Sequence, residues 1–258
     1  MAIRRVGDVL PAALVFVALF AGWEIYVRVS GISPMTLPGP VRIVRQGFEF
    51  RDILWRHTVP TFKETAAGFG VSLAAAWLVA TVLDFSAWSR RVLYPLMVAS
   101  QTIPIIAIAP LFVIWFGFGL LPKIIVVVLV TFFPLAVNLA EGFASADGDA
   151  MRLLRSMGAG RVRCFVTVRV PSALPYFFAG LRVSIAYAVV GAVFAEYVGA
   201  QFGLGIYMQQ QKSAFRTDLV LAAVGITSLL SIALFFATYL VQRLVMPWQR
   251  ALRRMSRS

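Results

Sequence analysis

The sequence is poor in the residue types that build disulfides, metal sites and most hydrolytic active sites. Its 258 residues include one cysteine, Cys164, and one histidine, His57. A single cysteine cannot form an internal disulfide, and a lone histidine excludes a cluster of histidine and cysteine metal ligands. No serine, histidine and acid stand at a recognisable catalytic spacing. We therefore predict no catalytic residue and no metal site, and we expect His57 to lie in a loop.

A nucleotide-hydrolysing loop is also missing. The chain has three lysines, Lys63, Lys123 and Lys212, and none of them follows the glycine pattern of a phosphate-binding loop. The sequence therefore predicts a protein that hydrolyses no nucleotide, holds no cofactor of its own and is not an enzyme.

Apolar residues are abundant, since they make up 60% of the chain, whereas charged residues make up 14% and the mean hydropathy is +0.84. Uncharged runs cover 9–23, 65–83, 92–122, 124–140 and 219–242, and a sixth run, 170–195, is broken only by Arg182. About 20 apolar residues in a helix cross a bilayer, and the runs lack the alternation of a β-barrel. We predict an all-α membrane protein with six transmembrane helices in one domain, 1–258.

The net charge of +13 has a source other than nucleic-acid binding. Loops rich in Lys and Arg stay in the cytoplasm and thereby orient a membrane protein. If the N-terminus is cytoplasmic, fourteen of the 24 basic residues fall in cytoplasmic segments. They are Arg4, Arg5, Arg90, Arg91, Arg152, Arg155, Arg161, Arg163, Arg169, Arg243, Arg250, Arg253, Arg254 and Arg257. We predict cytoplasmic N- and C-termini and no nucleic-acid partner.

The segment 31–58 would then lie outside the cytoplasm, although it contains four arginines. Its stretch "PVRIVRQGFEF" is mildly amphipathic, which is typical of a helix that lies flat on a membrane. Membrane lipid is therefore a predicted partner of the chain.

The run 92–122 is too long for one straight span. As a helix it would reach about 46 Å, whereas the hydrocarbon core is about 30 Å thick. Pro104 and Pro110 are expected to interrupt it, because proline removes a helical hydrogen bond. The result is either a packing kink or a bent helix that lines a translocation path, with Gln101 and Thr102 supplying polar groups.

Two charged residues belong to the helix expected here, Arg182 within the sixth run and Glu196 directly after it. Arg182 is expected near the cytoplasmic end, where its side chain can reach the membrane surface. Glu196 lies about 21 Å further along the helix, near the outer surface. It is either part of an outer gate on the translocation path, or in contact with an external partner, or simply a solvated helix end.

The stretch 147–170 predicts a short amphipathic helix. With Asp149 as the N-cap, apolar residues recur at helical spacing on one face, and Gly158 ends the helix. The apolar stripe consists of Ala150, Leu153, Leu154 and Met157. A second short helix, 160–168, is expected to stop at Pro171. Such a helix either lies on anionic lipid or docks into a groove of a partner protein.

At this point a family resemblance emerges. Gly158, followed after nine residues by "VRVP" at 168–171, resembles the G-x9-I-x-L-P loop of binding-protein-dependent ABC importer permeases. In that family the loop carries the coupling helix, which sits in a cleft of the cytoplasmic ATPase. The family's Glu-Ala-Ala is replaced here by Arg152-Leu153-Leu154, so the acid is lost. The resemblance implies ATPase coupling by Asp149, Ala150, Leu153, Leu154, Met157, Gly158, Ala159, Val170 and Pro171.

The resemblance extends along most of the chain. "LPGPVRI" at 37–43, "TFKETAAGFGVSLAAAW" at 61–77 and the pattern IP…APL…WFGFG…PK within 94–138 look like the nitrate, sulfonate and taurine branch. The last third, 175–208, is most similar to members that carry a thiamine pyrimidine precursor or riboflavin. The family resemblance implies the type I ABC importer permease fold, with a five-helix core at 58–245 and a cytoplasmic coupling helix between spans four and five.

The same resemblance implies the partners. ATP would be bound by a separate cytoplasmic ATPase, an external solute-binding protein would deliver the solute, and a second copy would complete a homodimer in the inner membrane. Gln101, Thr102, Pro104 and Glu196 are the predicted path residues. One alternative is an ion-coupled secondary transporter, which would usually show more acids within the membrane or an inverted repeat. A membrane anchor would need neither the bent span nor the amphipathic helix.

Overall fold

A computed structural model describes residues 6–247 of the chain, with side chains from residue 11 onward. All regular elements in that range are helical. They are α1 Val6–Ser30, α2 Pro40–Glu49, α3 Arg51–Phe85, α4 Ala87–Ser100, α5 Ile105–Phe116, α6 Leu120–Ala144, α7 Gly148–Ser156, α8 Arg161–Cys164, α9 Val170–Gly199, α10 Leu204–Ser213 and α11 Thr217–Val245. A π-helical turn, Phe165–Arg169, joins α8 to α9. The arginines counted above at positions 4, 5, 250, 253, 254 and 257 lie outside the described residues.

Five helical segments are long and apolar enough to cross a membrane. They are Pro11–Ser30, Arg51–Phe85, Leu120–Ala144, Arg161–Gly199 and Thr217–Val245. The pair α4 and α5 passes the same test together, with a bend of 100° between its halves. Counted as one broken span, this pair brings the number to six and confirms the predicted all-α membrane fold.

The break in the third span lies between Ser100 and Ile105, so it is sharper than a packing kink. Pro104 sits in extended backbone directly before α5, where its missing N–H leaves no helical bond unmade. Pro110 lies within α5 and does not interrupt it, so that part of the expectation is wrong. Pro110 lies in the middle of α5, so its missing N–H costs the helix one hydrogen bond, which a membrane helix packed against neighbours such as α6 and α9 tolerates.

The two halves of the broken span lie at different depths of the bundle. Met97 of α4 packs in a cluster with Leu135 of α6, whereas Phe112 of α5 packs in a cluster with Val126 of α6. Nine residues of α6 separate these partners, which corresponds to about 13 Å along the helix axis. The pair therefore crosses the bundle and does not turn back on itself.

Antiparallel helices α6 and α9 form the centre of the bundle. They approach closely at glycines, and a Cβ atom added at Gly142 would stand only 2.8 Å from the Cα of Ala173. A Cβ at Gly180 would likewise stand 2.8 Å from the Cβ of Asn138. Small residues at crossings allow such packing between membrane helices. α3 and α11 flank this pair.

The amphipathic helix expected in segment 31–58 is present as α2. Ile43 packs against the cluster that includes residues of α11, and Arg42 pairs with the buried Asp218 at 3.1 Å. The opposite face carries exposed Val41, Val44 and Phe48. α1 contacts α2, where Glu24 accepts a bond of 3.1 Å from the Val41 N–H. Residue 58, the predicted start of the core unit, lies within α3, and that division stays a prediction.

Candidate functional site

Two regions with polar or exposed functional residues lie at opposite ends of the bundle. At one end α3 and α6 finish and the segment leading into α9 begins, beside α7; we call it the α7 end. At the other end α3 and α6 begin and α9 finishes, beside α10; we call it the α10 end. The predicted coupling residues lie at the α7 end, and Glu196 lies at the α10 end.

The N-cap of α7 is Asp147 and not Asp149, so the predicted helix start is wrong by two residues. The Oδ1 atom of Asp147 accepts bonds from the N–H groups of Asp149, at 2.8 Å, and Ala150, at 3.4 Å. Asp149 instead lies in the first turn and pairs with Arg152. Both aspartates suit a cap by residue type, and in the structure the helix begins at Gly148, directly after Asp147.

The apolar stripe of α7 splits into a buried part and an exposed part. Met151, which was not assigned to the stripe, is buried and anchors the helix. Leu153 and Met157 are 62% and 75% exposed and stand one turn apart. Ala150 and Leu154 are half-buried between them and the bundle. We call Leu153 and Met157 the α7 ridge.

The end of α7 is as rigid as its start. Gly158 has a φ of +83°, a left-handed conformation that favours glycine. Around it the Gly158 N–H bonds the Arg155 carbonyl at 3.0 Å, and the Ala159 N–H bonds the Leu154 carbonyl at 2.9 Å. These bonds satisfy carbonyls that the helix end leaves free. The predicted end at Gly158 is confirmed.

The chain after α7 does not stop at Pro171, and that expectation is wrong. Arg161–Gly199 forms one continuous helical segment of 39 residues, in which a π turn precedes the proline. In this wider turn the Val170 N–H bonds the Phe165 carbonyl, and Pro171 follows in the first turn of α9. A proline there is tolerated, and a π turn leaves no trace in a 3.6-residue pattern.

The residues at the break in the third span are exposed on the surface of the single chain. Gln101, Thr102 and Pro104 all lie on this surface. The Thr102 hydroxyl donates to the Ala99 carbonyl at 2.8 Å, and the Gln101 amide reaches the Leu129 carbonyl at 3.5 Å. Leu129 lies about 14 Å from the start of α6, so the break presents polar groups at the middle depth of the bundle.

Glu196 is completely enclosed, so the expectation of a solvated helix end is wrong. Its carboxylate accepts a bond of 2.6 Å from the Thr61 hydroxyl and one of 2.6 Å from the Gly205 N–H. The Thr61 oxygen in turn accepts from the Leu204 N–H at 2.8 Å. The chain turns back after α9, so that α10 folds over the glutamate.

His57 belongs to the same arrangement and lies in α3 instead of a loop. It is 9% exposed, and its Nδ1 stands 2.9 Å from the Gly203 carbonyl oxygen and 3.2 Å from the Gly203 N–H nitrogen. Gly203 has a φ of +139°, and a Cβ there would collide with the Glu196 carboxyl group. His57, Thr61 and Glu196 thus hold the backbone of residues 203–205, and we call this group the α10 clamp.

A buried ion pair adjoins the clamp. Lys123, in the first turn of α6, pairs with Glu64 of α3, and their side chains are 11% and 7% exposed. The second carboxyl oxygen of Glu64 has no hydrogen-bond partner among the described residues. Thr61 and Glu64 stand one turn apart on one face of α3, and this spacing was the only sequence signal for the region. Lys123 was considered above only as a phosphate-loop lysine, and its pairing with Glu64 was not predicted.

Within the described part of the chain no three His, Cys, Asp or Glu side chains converge as metal ligands would. The residues at both ends instead position helices. Such positioning is what a protein needs when helices move as units.

Comparison with known proteins gives consistent results. Residues 67–250 match the family model for the binding-protein-dependent transport system inner membrane component. The formylaminopyrimidine transport permease protein ThiX of Halalkalibacterium halodurans is 36% identical over 248 residues, which cover 96% of this chain and 99% of that protein. The riboflavin transport system permease protein RibX of Chloroflexus aurantiacus is 32% identical over 242 residues, covering 93% and 90%.

A solved structure shares the fold. The chain matches the MetNI methionine ABC transporter in an inward-facing conformation with a TM-score of 0.60 and 19% identity, over 78% of this chain and 98% of that one. The two sequence relatives are permeases of the kind that 175–208 resembled. Proteins of the matched family are transport subunits of the inner membrane that depend on a binding protein, and an ion-coupled carrier is therefore set aside. The chain belongs to the family of inner membrane components of binding-protein-dependent transport systems, and it is a permease subunit of an ABC importer.

Proposed function

We propose that two copies of this chain form the translocation path of an ATP-driven importer, with the α7 end in the cytoplasm. The observation that carries the proposal is the α7 ridge, because two large apolar side chains stand exposed on a helix that is rigidly held at both ends. The arginine-rich loops support this orientation, in which both chain termini would also be cytoplasmic. ATP would be bound by the partner ATPase and not by this chain.

The α7 ridge suits docking into a groove of the ATPase. A helix of nine residues is marginal alone, but the Asp147 cap, Gly158 and buried Met151 hold it in place. Leu153, Leu154 and Met157 would enter the groove, and Ala150 would set the distance to the bundle. Arg152 stands where relatives are expected to carry an acid, so we expect an acidic side chain on the facing wall of this ATPase.

The continuous helix Arg161–Gly199 would carry the movement across the membrane. Its 39 residues correspond to about 58 Å, from the loop at Ala159 to the neighbourhood of the α10 clamp. Val170 and Pro171 lie on this helix just beyond the π turn. Closure of the ATPases on ATP would move α7, tilt the continuous helix and open the α10 end. Hydrolysis would then restore the inward-facing state.

The path itself would run between the two copies at the break in the third span. Gln101 and Thr102 present polar groups at middle depth, where lipid offers no hydrogen-bond partner. A facing second copy or an aqueous path supplies such partners. Pro104 keeps the backbone between α4 and α5 extended at the break. Glu196 would serve the outer gate by holding α10, and it would not face the solute.

For the substrate we propose a small flat heteroaromatic molecule, such as a formylaminopyrimidine, with riboflavin as the next choice. The identity of 36% to the formylaminopyrimidine permease supports this order. A sulfonate, taurine or nitrate is the alternative, because the pattern within 94–138 resembles that branch. Titration of the cognate binding protein with a panel of these solutes decides between them.

Replacement of Leu153 by aspartate tests the docking. The variant should bind the cognate ATPase about tenfold or more weakly, because a charge would enter an apolar groove. Phe215→Asp is a matched control, since Phe215 is 68% exposed at the α10 end. Co-purification with the ATPase and the melting temperature of the membrane subunit are measured for both. Unchanged co-purification of Leu153→Asp overturns the docking, and labelling of Arg155→Cys from outside intact cells overturns the orientation.

A further inference from the structure

A small cavity lies at the α7 end, apart from the α7 ridge. Its volume is about 230 Å³. One wall comes from the end of α3 and the start of α4, and the other from the end of α6 and the π turn. The lining residues are Leu83, Asp84, Ala87, Arg90, Ala140, Ala144 and Arg169. The cavity thus joins four segments that flank the loop carrying α7.

The charges in the cavity do not cancel. Arg169, on the last position of the π turn, pairs with Asp84 of α3. Arg90 of α4 is exposed and forms no ion pair with any acid among residues 11–247. Two guanidinium groups therefore meet one carboxylate, which leaves one positive charge. Arginine groups donate several hydrogen bonds in a geometry that matches phosphate oxygens.

The surroundings place the cavity at the boundary of the membrane. Trp88 is 73% exposed and Phe85 is 43% exposed, and both are close neighbours in sequence of the lining residues. Exposed tryptophan at the end of a membrane helix is typical of the lipid headgroup region. Ala87, Ala140 and Ala144 contribute only methyl groups, so the remaining wall is apolar and leaves space for a compact group.

We propose that this cavity binds the phosphodiester group of an anionic phospholipid such as phosphatidylglycerol. Arg90 and Arg169 donate to the phosphate oxygens, and the acyl chains run past Trp88 and Phe85. One phosphodiester carries one negative charge, which matches the excess charge of the cavity. A zwitterionic lipid brings an additional positive amine and fits less well. The bound lipid would connect the start of α4 to the π turn, and thereby to the segment that enters α9.

The test uses the purified full-length chain and its pair of neighbouring arginines. Arg90→Gln removes a lining residue, whereas Arg91→Gln removes an equal charge one residue away that does not line the cavity. Retention of phosphatidylglycerol and phosphatidylcholine is compared by native mass spectrometry and by thermal shift. The wild type should prefer phosphatidylglycerol by about fivefold to tenfold. Arg90→Gln should lose this preference, and Arg91→Gln should keep it.

A second variant guards against loss of folding. Ala87→Leu fills the cavity from an exposed helix position without changing the charge, and it should also lose the preference for phosphatidylglycerol. Equal loss in Arg90→Gln and Arg91→Gln indicates a general surface charge effect and overturns the site. Displacement of the lipid by inorganic phosphate at millimolar concentration assigns the cavity to a soluble anion and overturns the lipid. These outcomes do not depend on ATPase docking, so they leave the proposed function untouched.

Discussion

At the scale of single residues, each side chain of the α10 clamp bonds a different backbone group, so none of the three can replace another. Three side chains from α3 and α9 bond the backbone of three successive residues, Gly203, Leu204 and Gly205. A buried hydrogen-bond group that loses its partner costs about 1–3 kcal/mol. Single substitutions at the clamp should therefore lower the stability of the chain clearly.

Gly205→Ala should destabilise the chain by about 1–3 kcal/mol. The added Cβ would collide with the backbone carbonyl of Val193 and with the Glu196 side chain, and backbone cannot move aside easily. Thermal unfolding in detergent measures the effect. Gly225→Ala is the matched control, because nothing lies within 4 Å of its Cβ position, and it should leave the melting temperature unchanged or raised. Equal behaviour of both variants contradicts the close packing at the clamp.

Thr61→Val should destabilise the chain by about 2 kcal/mol or more, because both Glu196 and the Leu204 N–H lose a partner in a buried place. Thr131→Val provides the comparison, since Thr131 is equally buried but its hydroxyl bonds only the Val127 carbonyl of its own helix. Chemical unfolding of the two variants side by side gives the difference. A cost for Thr131→Val as large as for Thr61→Val would mean that the hydroxyl at Thr61 has no special partner.

The roles of single residues were only partly predictable from the sequence. Gly158 was predictable, because few residues other than glycine end a helix in the left-handed conformation. Glu196 and His57 were not, since their burial depends on α10 folding back over the end of α9 and onto α3, which no periodic pattern indicates. Asp147 and Asp149 are equally good caps by residue type, so the sequence alone does not decide between them.

At the scale of helices, the π turn at Phe165–Arg169 sets the orientation of α7 relative to α9. A π turn contains one residue more than the α-helical turn that it replaces. Each helical residue turns the chain by about 100°, so one additional residue rotates everything before it by that amount. The turn thus decides which side of α8 and α7 faces the bundle.

Deletion of Thr167 should convert the π turn to a regular helix and misdirect the α7 ridge. Thr167 is exposed, so the side chain that the deletion removes makes no core contact of its own. We expect the membrane subunit to remain folded while solute transport falls by about tenfold or more, as for a lost interface anchor. Thr167→Ala is the control and should transport normally. Normal transport after the deletion would show that the orientation of α7 is not transmitted through this turn.

The helices themselves were predictable wherever a long apolar run exists. The runs 65–83, 124–140 and 219–242 all fall within described helices, because a bilayer leaves the backbone no other way to satisfy its hydrogen bonds. The break near Pro104 was also indicated by length and proline. The continuity through Pro171 was not, since it depends on a turn type without a periodic signal.

At the scale of the whole molecule, the proposed homodimer accounts for polar groups that a single copy leaves on its surface. The break in the third span exposes the Gln101 amide and the Thr102 hydroxyl at middle depth, each with one hydrogen bond within the chain, and polar groups that lack further partners are costly in lipid. A homodimer that faces this surface inward places these groups beside the solute path. Symmetric pairing is the simplest assembly for a single kind of permease subunit.

Cross-linking through introduced cysteines tests this assembly. Cys164 is the only natural cysteine and is buried, so Cys164→Ala gives a suitable background. In that background Thr102→Cys should give a cross-linked dimer with a short thiol-reactive reagent, because the two copies face each other at the break. Val29→Cys, on the 83% exposed position of α1, is the control and should stay largely monomeric. If Val29→Cys cross-links as readily, or if Thr102→Cys stays monomeric in a transporting complex, the path lies elsewhere and the break faces lipid.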